Sequence, residues 1–152
     1  MNAAQAHTLA LQLMNKHGLS NQGWYFKFDN AKRRLGQCNY TRRCISLSYH
    51  WVELQNESQV KNTILHEIAH ALTPGHKHDH VWRRKAIEIG CDGNRLFDSK
   101  GMEKPKALYE AVCNGCKSTF SAHRMRRKSS SCAKCSGGRY NENYKLVFKL
   151  VK

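Results

Sequence analysis

The sequence lacks any apolar run long enough to cross a membrane, and it lacks the basic and then apolar leader that directs secretion. Polar residues interrupt the apolar stretch around residues 9–14. We therefore expect a protein without a membrane partner that is not secreted and is cytoplasmic or nucleoid-associated. Internal repeats and extended low-complexity tracts are also absent. The 152 residues fit one ordinary domain, or a domain of about 100 residues with a small appendage.

Acidic residues are scarce: 11 Asp and Glu stand against 26 Lys and Arg, which gives a formal net charge of +15. Residues 104–152 carry 12 basic and 2 acidic side chains, whereas residues 1–103 carry 14 and 9. A surface this basic attracts polyanions, of which nucleic acid is the commonest; an anionic membrane or simple solubility is the alternative. We predict a domain boundary between residues 103 and 104, in an aperiodic stretch that contains Gly and Pro.

The first domain is centred on the pentapeptide His-Glu-Ile-Ala-His at residues 66–70. Apolar residues at helical spacing between positions 60 and 72 predict a helix, which is expected to start near residues 56–58. Residues four apart share one face of a helix, so His66 and His70 can bind one metal ion, and Glu67 lies beside that ion without being a ligand. This H-E-x-x-H arrangement is typical of a zinc hydrolase, with Glu67 as the catalytic base.

The residue pattern in the rest of the first domain predicts two further long helices and a small antiparallel sheet. The helices are expected at residues 3–17 and 81–89, and a glycine follows each of them. Three short segments have the composition of strands: residues 24–28, 35–40 and 44–48. The predicted fold class is therefore α+β, with the sheet packed on the long helices and one of its edges near the metal.

A catalytic zinc needs three protein ligands and an open position for water, so the motif requires one more ligand. Four residues compete for this role: His76, His78, His80 and Glu88. His76 has the spacing of the metzincin pattern, but that pattern needs Gly at position 73, where this chain has Thr. Spacing alone does not rank the candidates.

Seven cysteines in a chain without a secretion signal indicate a reducing compartment and metal binding rather than disulfide bonds. Four of them form two C-x-x-C pairs with 15 residues between the pairs: Cys113, Cys116, Cys132 and Cys135. Such pairs predict a closed tetrahedral site for a structural zinc, which supplies much of the folding energy of so short a segment. The C-terminal module is thus predicted to be a zinc ribbon, with flanking strands at residues 109–112 and 144–151.

Basic residues are concentrated between the two cysteine pairs: Lys117, Arg124, Arg126, Arg127 and Lys128. With Phe120 as an aromatic residue for base stacking, they predict an arm that binds single-stranded or distorted DNA. A solvated basic loop is the alternative interpretation.

Several motifs carry a resemblance to a known family. They are H-E-I-A-H-A-L at residues 66–72, the Gly- and His-containing loop after it, and His78-Asp79-x-x-Trp82 at the start of the next helix. On these motifs the chain resembles the SprT-like (Spartan-type) metalloprotease family. In that family the third histidine stands four residues before an aromatic residue, which implies His78 as the third ligand. The loop before His78 is shorter than in some members, so His76 stays an alternative.

The resemblance implies a zincin-like protease domain at residues 1–103 and a four-cysteine ribbon at residues 104–152, holding one catalytic and one structural Zn²⁺. It also implies a DNA-dependent protease that acts on proteins bound or crosslinked to DNA, a role in DNA repair. One rival is a non-catalytic, nucleic-acid-binding ribbon protein with a structural zinc in the first domain. The other is a zinc protease whose basic tail binds an acidic protein or RNA. Glu67 favours an enzyme, because a structural site needs no general base.

Overall fold

The computed structural model describes residues 1–98, 100 and 102–151, and the chain divides into two compact units, Met1–Pro105 and Lys106–Lys152. Residues 99 and 101, in the aperiodic stretch before the predicted domain boundary, lie outside the described residues, as does the last residue of the predicted ribbon. Each unit has its own buried apolar cluster. Among the described residues, no helix combines the length and the apolar character needed to cross a membrane.

The helices of the first unit begin where polar side chains cap them. They are α1 (Ala3–Lys16), α2 (Tyr49–Leu54), α3 (Glu57–Leu72) and α4 (His80–Glu88). Asn2 and Asn56 cap α1 and α3, and in each case a glutamine three residues later completes a capping box. Loss of such a cap typically costs about 1 kcal/mol of stability. The cap at Asn56 explains why α3 begins at Glu57, where the motif helix was predicted to start.

The sheet of the first unit is mixed, so the predicted antiparallel sheet is wrong for one of its strand pairs. Its strands are β1 (Tyr25–Asp29), β2 (Gly36–Asn39) and β3 (Cys44–Ser48), in the order β1-β3-β2. β3 is antiparallel to β2 but parallel to β1. All five residues of β3 are buried, whereas β1 and β2 have exposed positions, so β3 takes the centre. The chain passes from β1 to the far edge and returns as β3, which makes the β1–β3 pair parallel.

Helix α3 is the element around which the first unit packs, because it contacts α1, α4 and the strands β2 and β3. Val60, Ile64 and Ile68 form a fully buried stripe along it. Burying one such side chain contributes about 1.5–3 kcal/mol. The stripe fixes the rotation of α3 about its axis, and with it the directions of the half-buried His66 and His70.

The second unit contains an antiparallel sheet and a short helix. The strands are β4 (Tyr109–Val112), β5 (Thr119–Ala122) and β6 (Lys149–Leu150), in the order β5-β4-β6, and the helix is α5 (Ala133–Ser136). The predicted strand at residues 144–151 is wrong over most of its length, since only Lys149–Leu150 forms a strand and Lys145 makes an isolated β-bridge with Ser131. Leu146 and Phe148 alternate with the exposed Val147 as predicted, and they are buried in the apolar cluster although they lie outside β6. β5, which the sequence analysis missed, pairs with β4. The chain is thus an α+β protein with two small sheets.

Candidate active site

Three histidine side chains converge on one point near the C-terminal end of α3. His66 and His70 are one turn apart on α3, and His78 approaches from the loop before α4. The Nε2 atom of His78 lies 3.0 Å from the Nε2 atom of His66 and 3.0 Å from that of His70. One ring nitrogen offers either one hydrogen or one lone pair, so His78 Nε2 cannot satisfy both neighbours by hydrogen bonding. A cation between the three nitrogens satisfies them all.

The backbone around His78 aims its ring at α3. Asp79 caps α4, and its Oδ1 atom accepts hydrogen bonds from the backbone N–H groups of Val81 and Trp82, each at 3.0 Å. Immediately before this cap, His78 has a φ of 56°, in the left-handed region that histidine enters more readily than most residues. The position of the third imidazole therefore depends on a local turn and on the cap that follows it.

The donor set fits a divalent ion such as zinc. Tetrahedral coordination with metal–nitrogen distances of about 2.0–2.1 Å separates ligand nitrogens by about 3.3 Å, close to the 3.0 Å found between His78 and each of the other two. Burial and the neighbouring imidazoles lower the pKa of His66 and of His70 to about 4. Burial and the charge of Arg95 lower the pKa of His78 as well. Neutral imidazole is the form that binds metals, and the three side chains can hold an ion together.

The indole ring of Trp82 packs against all three histidines. Trp82 lies in the first turns of α4 and is 1% exposed. Its ring centroid is 4.7 Å from that of His66, 5.2 Å from that of His70 and 4.5 Å from that of His78. In a close-packed interior such contacts restrict the rotamers of the imidazoles. Trp82 thus helps to hold the ligand atoms in their converging arrangement.

Glu67 is a buried carboxyl group beside this cluster, with 7% of its surface exposed. Burial raises the pKa of Glu67 to about 8, against the opposing effects of the Arg34 charge and of a hydrogen bond from the Cys38 backbone. Glu67 lines a cavity of about 400 Å³ together with the three histidines. A carboxyl group whose pKa is shifted toward neutral pH suits a residue that accepts a proton and then gives it up.

Gly36, on strand β2, leaves the space that the side chain of Glu67 occupies. A Cβ atom at position 36 would lie 2.9 Å from both Cγ and Oε1 of Glu67 and 3.0 Å from Cδ2 of Leu47. Contacts this short require a neighbour to move. The absence of a side chain at Gly36 is therefore a condition for the position of the carboxyl group.

The other three candidates for the third ligand have different surroundings. Nδ1 of His76 lies 2.7 Å from a carboxylate oxygen of Asp79. Glu88 forms an ion pair with a lysine of its own helix at 2.8 Å. His80 is exposed at the start of α4. Within the part of the chain that the structure describes, the histidine group that can hold a metal includes His78 and none of these three.

The sequence model of the SprT-like family matches residues 4–101, which is more than half of the chain and includes the whole histidine cluster. The chain belongs to the SprT-like family. No curated protein was found to match it. The family is in general metalloprotease-like, and this agrees with a histidine group that could hold a metal ion next to a buried glutamate.

Several residues of the SprT-like domain reach the site although the sequence analysis assigned them no role there: Arg34, Gly36, Cys38, Tyr40 and Arg95. The hydroxyl group of Tyr40 donates to the carbonyl oxygen of His70 at 2.7 Å. Burial raises the pKa of Tyr40 to about 12, with further contributions from Cys38 and Glu67, so the phenol keeps its proton. Alternation along β2 places positions 36 and 38 on one face, and this signal was available in the sequence. No sequence pattern indicates the loop residue Arg95.

The four predicted cysteine ligands form a second cluster, which lies outside the residues matched by the SprT-like model. The Sγ atoms of Cys113 and Cys135 are 3.8 Å apart, and those of Cys116 and Cys132 are 3.6 Å apart. Tetrahedral coordination with metal–sulfur distances of about 2.3 Å separates the sulfurs by about 3.8 Å. Disulfide sulfurs lie about 2.05 Å apart, so these are free thiols. The group can hold a metal ion.

The five predicted nucleic-acid-binding residues are all exposed on the second unit: Lys117, Arg124, Arg126, Arg127 and Lys128. The guanidinium group of Arg126 lies 4.9 Å from the ring centroid of Phe148, a cation–π contact that holds this side chain against the unit's core. The stacking role of Phe120 stays a prediction. Phe120 lies in β5, is half-buried and packs on the apolar cluster.

Proposed function

We propose that this SprT-like chain is a zinc-dependent endopeptidase. The observation that carries the proposal is the place of Glu67, a buried carboxyl group in the same cavity as three converging histidine nitrogens. A purely structural metal site needs no carboxyl group outside its ligand set. Family membership supports the same activity.

His66, His70 and His78 would hold the zinc, which when bound supplies a Lewis acid for the scissile carbonyl and lowers the pKa of its water. Glu67 accepts the proton of the attacking water on a carboxylate oxygen and then passes it to the leaving amine. Arg95 lines the same cavity and offers N–H donors to the substrate, whereas the hydroxyl group of Tyr40 already donates to the carbonyl oxygen of His70.

The sheet offers a way to hold the peptide substrate. Strand β2 is at an edge of its sheet, and Gly36, Gln37 and Cys38 of this strand line the cavity that contains Glu67. An extended peptide can pair with an exposed strand edge through backbone hydrogen bonds. Such pairing recognises the backbone of the substrate and suits a protease with many protein substrates.

Substituting Gly36 by alanine is expected to lower cleavage without loss of metal. The added methyl group would displace the carboxyl group of Glu67, and a displacement of about 1 Å can lower a rate by about 100-fold. Cleavage of a labelled protein, metal content and thermal unfolding of the Gly36→Ala variant test this. Wild-type cleavage by a stably folded variant would mean that the position of Glu67 does not determine the rate.

We further propose that DNA directs this activity to proteins that are bound or crosslinked to DNA, a role in DNA repair. Support comes from the exposed arginines and lysines of the second unit and from the excess of basic over acidic residues there. A protease that binds DNA gains effective concentration toward proteins on the same molecule. A DNA partner and cysteines in the thiol form suit a cytoplasmic or nucleoid-associated protein.

The DNA contact predicts a specific effect of two arginines. We expect a variant with both Arg124→Gln and Arg127→Gln to bind labelled single-stranded DNA more weakly. The slope of the logarithm of the binding constant against the logarithm of the salt concentration should become less steep by about 0.7 per lost phosphate contact. Arg126 is left in place because it packs on Phe148. The matched control, Arg83→Gln with Arg84→Gln, removes the same charge from the exposed side of α4. Fluorescence anisotropy at several salt concentrations measures both. Equal losses in the two variants would indicate a general charge effect and no defined contact.

The alternative function is that of a nucleic-acid-binding zinc protein without peptidase turnover. The four-cysteine cluster is compatible with it, because a ribbon can bind nucleic acid whatever the first unit does. DNA binding without any cleavage that depends on Glu67 would favour this alternative. Cleavage stimulated by RNA or by an acidic protein, but not by DNA, would favour a protease with a different partner.

A further inference from the structure

A second cavity, of about 230 Å³, adjoins the cavity of about 400 Å³ that contains the three histidines and Glu67. We call the larger one the metal-facing cavity. The two cavities share four lining residues: Gly36, His66, Glu67 and Arg95. We propose that the second cavity is a substrate subsite that binds an apolar side chain next to the scissile bond, and that Leu96 and Phe97 determine its specificity. This inference rests on the proposed peptidase function, because it assigns a substrate preference to the same site.

The wall of the cavity supports an apolar occupant. Leu35, Leu96 and Phe97 line it, and Leu96 is 78% exposed, so most of this large apolar side chain is not used by the core. A cavity of about 150 Å³ is large enough to bind benzene. The volume of about 230 Å³ is therefore sufficient for a side chain of the size of phenylalanine, leucine or methionine. Contact with Leu96 would remove apolar surface of both partners from water.

The shared wall indicates where this side chain lies in the substrate. His66 is a candidate metal ligand and Glu67 is the proposed base, and both line the two cavities. A peptide whose carbonyl group lies in the metal-facing cavity thus has its neighbouring side chain within reach of the second cavity. The subsite therefore selects the substrate residue on one side of the scissile bond and not the residue on the other side.

The charges that line the cavity do not favour a basic occupant. Arg34 and Arg95 both line it. The guanidinium group of Arg34 is engaged by Asp29 at 2.8 Å and by Gln37 at 2.7 Å. Among the described residues Arg95 forms no ion pair, and Asp92 is the single acidic side chain apart from Glu67 that lines the cavity. The formal charges of Arg95 and Asp92 cancel, and a lysine or arginine side chain placed against Leu35, Leu96 and Phe97 would lose hydration.

This subsite would restrict cleavage within basic proteins. Proteins that bind DNA are rich in Lys and Arg, which the subsite disfavours. Cleavage would therefore occur at the less frequent apolar residues, so that a substrate is cut at a few positions and not degraded throughout.

Cleavage of a complex peptide mixture in the presence of single-stranded DNA tests the subsite. Mass spectrometry identifies the residues on both sides of each new terminus, and the Glu67→Gln variant supplies the background. We expect phenylalanine, leucine and methionine to exceed alanine by at least about tenfold on one side of the bond, with Lys and Arg depleted there. Leu96→Ala and Phe97→Ala should each lower the phenylalanine-to-alanine ratio by about threefold or more.

The matched control is Leu11→Ala, because Leu11 is an exposed leucine on α1 that does not line the cavity, and it should leave the profile unchanged. The exposed Leu96 can be truncated without opening a hole in the core, so it keeps the test valid if Phe97→Ala does not fold. An absence of any cleavage by the wild type contradicts the peptidase function itself. Cleavage with no apolar preference, or with a preference that both truncations leave intact, contradicts the subsite alone.

Discussion

Replacing Glu67 with glutamine is expected to abolish peptide-bond cleavage and to leave both metal groups able to bind their ions. Glutamine has nearly the same shape as glutamate, so the packing around Gly36 is kept, but its amide does not accept the proton of the attacking water. General acid–base catalysis typically contributes about 10²–10⁴-fold to a rate, and we expect a loss of at least that size. The histidines do not depend on Glu67 for their convergence on a metal. Release of labelled fragments from casein and metal analysis of the same sample measure the two effects.

The matched control for this variant is Glu88→Gln, which makes the same chemical change on α4. Glu88 is exposed, pairs with Lys85 and does not line the cavity that contains Glu67. It should cleave casein at the wild-type rate. A Glu67→Gln protein that cleaved as fast as this control would exclude Glu67 as the base.

Replacing Cys113 with alanine is expected to release one metal ion and to unfold the second unit. Cys113 and Cys132 are 0% and 1% exposed and lie within the small apolar cluster of this unit. Structural zinc of this kind contributes about 10–16 kcal/mol of binding free energy, which is similar to or larger than the stability of a typical domain, about 5–15 kcal/mol. Loss of dispersed amide resonances from residues 106–151, and loss of DNA binding, should accompany the loss of the ion.

Cys91→Ala is the matched control for the cysteine substitution. Cys91 is also buried, at 5% exposure, but it packs in the cluster of the first unit and is not in the four-cysteine group. Its variant should retain the full metal content and the resonances of the second unit. A Cys113→Ala protein with unchanged metal content and unchanged resonances would contradict a structural metal site.

The sequence predicts the motif helix well because the signals that form it are local. The apolar stripe with Val60, Ile64 and Ile68 and the cap at Asn56 are read from neighbouring positions, and α3 follows them. The two C-x-x-C pairs are similarly local. The sheet order is not local, because it depends on which strand is buried on both faces. The alternation Ile45-Ser46-Leu47-Ser48 is typical of a half-buried strand, whereas all five residues of β3 are buried.

The third histidine could not be identified from residue spacing in the sequence. Four candidates lie within reach of the motif in sequence, and it was the resemblance to the SprT-like family that implied His78. In the structure His78 reaches His66 and His70 through a left-handed backbone conformation and the Asp79 cap. These features depend on the turn that the loop adopts, which residue spacing does not specify. The same holds for Arg95, whose place beside the cavity follows from the path of the loop after α4.

The most direct test is the cleavage of histone by the full chain, with and without single-stranded DNA, with the Glu67→Gln protein as the background. We predict cleavage that rises when DNA is added, disappears in the Glu67→Gln protein and is lost when a chelator removes the metal. Histone that stays intact under all conditions, in a sample that binds DNA and contains metal in both the histidine and the cysteine groups, would contradict a DNA-directed zinc peptidase.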